Sequence, residues 1–205
     1  MKGLVASFLL TSLVLTGCAV TGPGTLATAS PAPSPPSGAK PYSRLDPAGI
    51  ERIKTSKIAF FDMTSGELSK KSVGLEDGTS QAPDVLISDG VMELIIEAPT
   101  GLIRTHTDRL RLNGMNSGPD FREVTFFLTA ESLPDFTALI RDGVDRYGIP
   151  SESAEDWIES TSRHPDDRSD FALAPGTSTG LQVQYDLRYD GSKDVQVIIV
   201  HVHPV

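Results

Sequence analysis

Residues 181–189, LQVQYDLRY, alternate without a break: Leu181, Val183, Tyr185, Leu187 and Tyr189 share one side and polar residues take the other. Successive side chains on a strand point to opposite faces, so the run predicts a strand with one buried face. The stretch 194–202, DVQVIIVHV, is apolar on both sides and follows the loop DGSK, which predicts a terminal hairpin. With Tyr189 opposite Asp194, Tyr185 faces Ile198, Val183 faces Val200 and Leu181 faces Val202. His201 and His203 then lie on the other face beside Gln182 and Gln184, with Gln182 opposite His201.

Earlier in the chain, Asp46 followed by Pro47 marks a helix start, because a carboxylate accepts from orphan amides and proline suits the first helical position. The pattern predicts a short helix over 47–55 with Ile50 and Ile53 on one face, then a strand over 57–63. Residues 64–81 are polar and contain glycine, which predicts a loop or irregular edge. Runs 84–88 and 91–97 flank Asp89 and Gly90, the strongest short hairpin signal, since both positions accept positive φ. Strands over 102–112 and 121–130 follow, joined by the loop 113–119, and connections this short predict antiparallel pairing.

Ser132 and Pro134 open a helix in which Phe136, Leu139, Ile140, Val144 and Tyr147 stripe one face before Gly148 and Pro150 end it. Ser151 or Ser153 begins a second, shorter helix carrying Trp157 and Ile158, which fades in the polar run 160–170. The expected fold class is α+β: a mostly antiparallel sheet of about six or seven strands with the helical pair of 132–160 packed on one face.

The first 41 residues follow a different pattern. Lys2 precedes an apolar segment over 4–15, shorter than the about 20 residues a transmembrane helix needs. The segment ends in Leu15-Thr16-Gly17-Cys18, which holds the only cysteine of the 205 residues. These four residues resemble the lipobox of bacterial lipoprotein precursors: branched apolar, small, small, cysteine. The resemblance covers the signal alone and implies that 1–17 is a signal peptide, removed when Cys18 is lipidated and becomes the first mature residue. Ala19 is not the aspartate that retains such lipoproteins at an inner membrane, so the cell membrane and the outer membrane are both open, with the chain on the extracytoplasmic side.

Residues 19–41 are dense in Pro, Ala, Ser, Gly and Thr and hold no bulky apolar residue beyond Leu26, too little to build a core. Together 18–41 are expected to be the lipidated cysteine and a disordered linker, reaching at most roughly 70 Å if extended at about 3.1 Å per residue. Residues 42–205 are one domain by length. With Cys18 acylated no intrachain disulfide is available, so the apolar core must suffice.

The chain carries 18 basic and 27 acidic residues, a net charge of −9. Loss of 1–17 removes Lys2 and no acid, leaving 17 against 27, or −10. Such a surface argues against nucleic acid as a partner. No phosphate loop, dinucleotide fingerprint, C-x-x-C or H-E-x-x-H is present, and no cofactor is expected.

Two clusters are left that carry chemistry. Gly176-Thr-Ser-Thr-Gly180 fits G-x-S-x-G, with acids and then His201 and His203 downstream in hydrolase order, making Ser178 a candidate nucleophile. A nucleophile elbow sits between a strand and a helix, however, and here Pro175 precedes and an alternating strand follows. His201 and His203, at i and i+2 of a strand, project to one face roughly 7 Å apart and are candidate metal ligands. No third ligand is near in sequence; His106 or the loop 164–167 would have to approach through the fold.

The reading favoured by anchor, linker and acidity is a non-catalytic binding module of the cell envelope, tethered to a membrane by lipid and facing an envelope protein partner. An envelope hydrolase using Ser178, a metal enzyme using His201 and His203, and an immunity or inhibitor lipoprotein are the alternatives.

Overall fold

Helix α1 (Pro47–Ser56) starts where the Asp46 carboxylate accepts from the Gly49 amide at 2.8 Å, and ends at Lys57, which is left-handed (φ 54°) and donates its amide to the Ile53 carbonyl. Lys57 is therefore a helix cap, not the first residue of the following strand. The computed structural model describes residues 42–114 and 118–205. The expectations for 1–41, including lipidation of Cys18, lie outside the described residues.

The fold class is α+β and mostly sheet, as the pattern implies. Strand β1 (Ile58–Asp62) leads through β2 (Leu68–Ser69) and β3 (Val85–Leu86) to β4 (Met92–Ala98), β5 (Gly101–Thr107), β6 (Arg109–Asn113), β7 (Asp120–Phe121) and β8 (Glu123–Thr129). Helices α2 (Leu133–Tyr147) and α3 (Ser151–Arg163) follow, then β9 (Arg168–Ala172), β10 (Gln182–Asp190) and β11 (Val195–His203). The principal sheet has six strands in the order β3-β6-β8-β11-β10-β9, antiparallel throughout. A three-stranded sheet, β1-β4-β5, and a two-stranded ribbon, β2-β7, complete the fold.

Several local expectations are overturned by pairing between distant segments. Asp89 and Gly90 join no hairpin: β3 enters the six-stranded sheet against β6, whereas β4 pairs with β1 and β5. Gly90 takes positive φ (80°) and Asp89 does not, and the turn hands the chain from one sheet to the other. The β1–β4 pairing is parallel, while the other strand pairings are antiparallel. The run 102–112 is two strands, broken at Asp108. There the buried Thr107 hydroxyl donates to the Arg109 carbonyl at 2.9 Å and accepts from the Arg109 and Phe127 amides at 3.2 Å, taking over hydrogen bonds the ladder loses at the switch between sheets.

The polar stretch 64–81 contributes β2, and the fully buried Lys70 beside it donates to the carbonyls of Asp77 (2.9 Å) and Gly118. Helix α3 continues past residue 160 to Arg163, and the polar run after it contributes edge strand β9.

Helix α2 forms as its caps foretell, with the Ser132 hydroxyl accepting from the Asp135 amide and Gly148 at φ 74° closing it, whereas α3 starts at Ser151 behind Pro150 with no side-chain cap. Phe136, Ile140 and Tyr147 are buried, while Leu139 and Val144 pack at the margin of the same core. A ring cluster of Phe136, Trp157 and Tyr189, with centroids 5.7–6.1 Å apart, fastens both helices to β10. Gly143 permits the closest approach: a Cβ there would lie 2.5 Å from the Tyr185 ring.

Hairpin β10–β11 has the expected faces and a different register. Tyr185 lies opposite Val200, Val183 opposite Val202 and Tyr189 opposite Gln196. The four-residue loop is 191–194 and not 190–193: the Asp190 carboxylate accepts from the Ser192 hydroxyl (2.7 Å) and the Lys193 ammonium (2.8 Å), and Asp194 takes the left-handed position (φ 54°). Sliding the loop by one residue shifts the pairing by two, so every side chain keeps its face while changing its partner.

Candidate functional site

Buried and half-buried positions alternate along β11 and along β10 as far as Tyr189, so one face of the large sheet packs on the core and the other is partly open to solvent, while in β8 Thr125 on that second face is buried as well. At one end of the solvent face, β11 presents His201 and His203, β10 presents Gln184 opposite His201 and Gln182 opposite His203, and β8 presents Glu123 and Thr125. Placing both histidines beside both glutamines agrees with the sequence; the pairing of His201 with Gln182 does not, for the reason given by the loop.

Glu123 supplies the third group that local sequence could not reveal. It lies 78 residues from His201, and its Oε1 sits 2.5 Å from His201 Nδ1 and accepts from the Thr125 hydroxyl at 2.5 Å. The His201 bond is the main reason the Glu123 carboxyl is lowered from 4.5 to about 2; burial opposes this, and bonds from Thr125 and Asn113 and the charge of His201 reinforce it. Glu123 is therefore a carboxylate at neutral pH.

A carboxylate and a backbone carbonyl can only accept hydrogen bonds, which settles the ring orientation of both histidines. His201 donates from Nδ1 to Glu123, and His203 donates from Nδ1 to the Arg122 carbonyl at 3.1 Å. Neither Nε2 has a protein partner among the described residues. The two rings lie nearly parallel, 8° apart, with centroids at 6.2 Å. One donor atom from each of Glu123, His201 and His203 falls within 4.8 Å of the others, and the side chains of His201 and Glu123 stay 27% and 20% exposed. Among the described residues this is the group of His, Cys, Asp and Glu side chains drawn together in this way.

The remaining candidates stand apart from it. His106 is exposed on β5 opposite Glu93, in the other sheet, and His164 follows the end of α3. The Asp166 and Asp167 pair is exposed in the turn before β9.

Ser178 lies in the exposed loop between β9 and β10, followed by a strand and no helix. Its amide donates to the Tyr147 carbonyl at 3.1 Å and its carbonyl accepts from the Thr100 hydroxyl at 3.1 Å, so the loop ties the end of α2 to the β4–β5 turn. The glycines of the motif have packing reasons. A Cβ on Gly176 would enter the Tyr147 carbonyl, and Gly180 holds φ 77°. His201 and His203 bond to Glu123 and Arg122, not to Ser178.

Among the described residues no helix is long and apolar enough to cross a membrane. Compared with known proteins, the chain matches no family model, no curated protein and no solved structure.

Proposed function

We propose that this chain is a bacterial lipoprotein, anchored through Cys18 to the cell membrane or outer membrane, whose folded part is a non-catalytic binding module for an envelope protein on the extracytoplasmic side. The observation that carries the reading is the succession in residues 1–41: an apolar run too short to span, Leu15-Thr16-Gly17-Cys18, then a proline-rich stretch before the first helix. Acyl chains contribute about 0.8 kcal/mol for each buried methylene, so two or more of them hold a protein durably where one does not. The linker gives the folded part reach from the bilayer, and the acidic surface keeps it off anionic lipid.

Three measurements test it. Mass spectrometry of the processed protein is expected to find an N-terminal peptide starting at Cys18 and carrying acyl mass, and Cys18→Ser is expected to move the protein from the membrane fraction to the soluble one. Met1 retained on a water-soluble product would overturn the anchor. For the binding role, cross-linking in intact envelopes is expected to give one discrete adduct with the anchored protein; turnover of an envelope substrate with no adduct would favour the hydrolase alternative.

A further inference from the structure

We infer that Glu123, His201 and His203 form a binding site for a divalent first-row transition ion of the zinc type. The site is independent of the anchor reading, because it stands on the geometry of the folded part alone. Two imidazoles and one carboxylate match the donor set zinc takes where three protein ligands leave a position open, whereas calcium and magnesium select all-oxygen sites.

The separation is close to what a metal needs. Bonds of about 2.0–2.2 Å around a tetrahedral ion bring donor atoms to roughly 3.4 Å from one another, and here they already lie within 4.8 Å. Side-chain rotation spans the difference without moving the strands, which are held in register by β8–β11 pairing on both sides of His201. An ion held by Glu123 Oε1 and His201 Nδ1 takes the place of the proton those two atoms now share, and His203, whose Nδ1 bonds to the Arg122 carbonyl, offers Nε2.

The neighbouring charges favour a cation. Arg111 lies across Thr125 on β6, but two nitrogens of its guanidinium are taken by Asp84 at 2.7 and 2.8 Å, which offsets the positive charge on that neighbouring strand. The chain as a whole is acidic. Because the cluster is partly exposed, a bound ion keeps at least one position for water or for a donor from another molecule.

The test uses the full chain, purified in detergent without a polyhistidine tag and titrated with Zn²⁺ alone by calorimetry. The expected result is about one ion per chain, unaffected by excess Mg²⁺ or Ca²⁺. His201→Ala and His203→Ala are each expected to abolish the saturable heat, and Glu123→Gln to weaken binding about 10–100-fold. His106→Ala, in the other sheet, is expected to bind as the unaltered chain does. Should a variant fail to fold, labelled histidine in the unaltered chain decides the matter: Zn²⁺ is expected to shift the imidazole signals of His201 and His203 and to leave those of His106 and His164 in place. No saturable binding, equal binding in His201→Ala, or shifts centred on His106 or His164 would each overturn the assignment.

Discussion

Hairpin β10–β11 and the segment from residue 64 to residue 121 use the same residue types and reach their structures by different routes. In the hairpin, nine pairs follow one another from Asp190↔Val195 to Gln182↔His203, closed by a loop whose own side chains hold it. In the middle segment the strands are short, partners come from three sheets, and single polar side chains stand in where ladders stop: Thr107 at the β5–β6 break and Lys70 beside β2. Where a run of alternating residues is long and its partner is next in sequence, burial of one face selects the structure. Where runs are two to seven residues long, the partner is chosen by whatever sheet edge the rest of the fold leaves available.

The contrast predicts an order of sensitivity. Phe136→Ala removes the ring between Trp157 and Tyr189 and is expected to lower stability by about 3–5 kcal/mol in urea unfolding. A loss under about 1 kcal/mol would mean that the aromatic cluster does not hold the helices to the hairpin. Next comes Thr107→Val, which preserves shape but strips three backbone groups of their hydroxyl partner, at an expected cost of about 2 kcal/mol. Hydrogen exchange should show the loss concentrated at Arg109 and Phe127; uniform loosening would place the weakness elsewhere. Smallest is Asp190→Asn in the hairpin loop.

Bonds from Lys193 and then Ser192 hold the Asp190 carboxyl below its ordinary 3.8, so its contribution is present above that value and disappears as pH falls through the lowered one. The Tm of Asp190→Asn should therefore sit slightly below that of the unaltered chain at pH 7 and converge with it in acid. A Tm gap that persists or widens in acid would remove the carboxylate from the account of the loop.

How far the candidate site could be read follows the same division. His201 and His203 share a face because of a period of two that is visible in nine consecutive residues. Glu123 was out of reach of such reasoning: its strand, β8, meets β11 across the intervening residues 130–194, which contain both long helices, and nothing in FREVTFFLTA marks that partner. A carboxylate on the polar side of a β-rich run was the available signal, and β10 and its flanks offered equally good ones in Asp186, Asp190 and Asp194. Ser178 shows the opposite error that motifs invite, since Gly176 and Gly180 answer to a close backbone approach and a positive φ in a strap between elements.

From the sequence alone come the α+β class, the N-cap of α1, both caps of α2, the buried stripe of α2 and the faces of the last two strands. All of these depend on residues within one or two turns or along one strand, where steric and hydrogen-bonding preferences act directly. Only the tertiary structure decided that Asp89 and Gly90 connect two sheets, that β1 runs parallel to β4, that the hairpin register is set two residues away, and that a carboxylate from β8 completes the histidine pair. Those choices are made by contacts between segments far apart in the chain, whose free energy no local pattern contains.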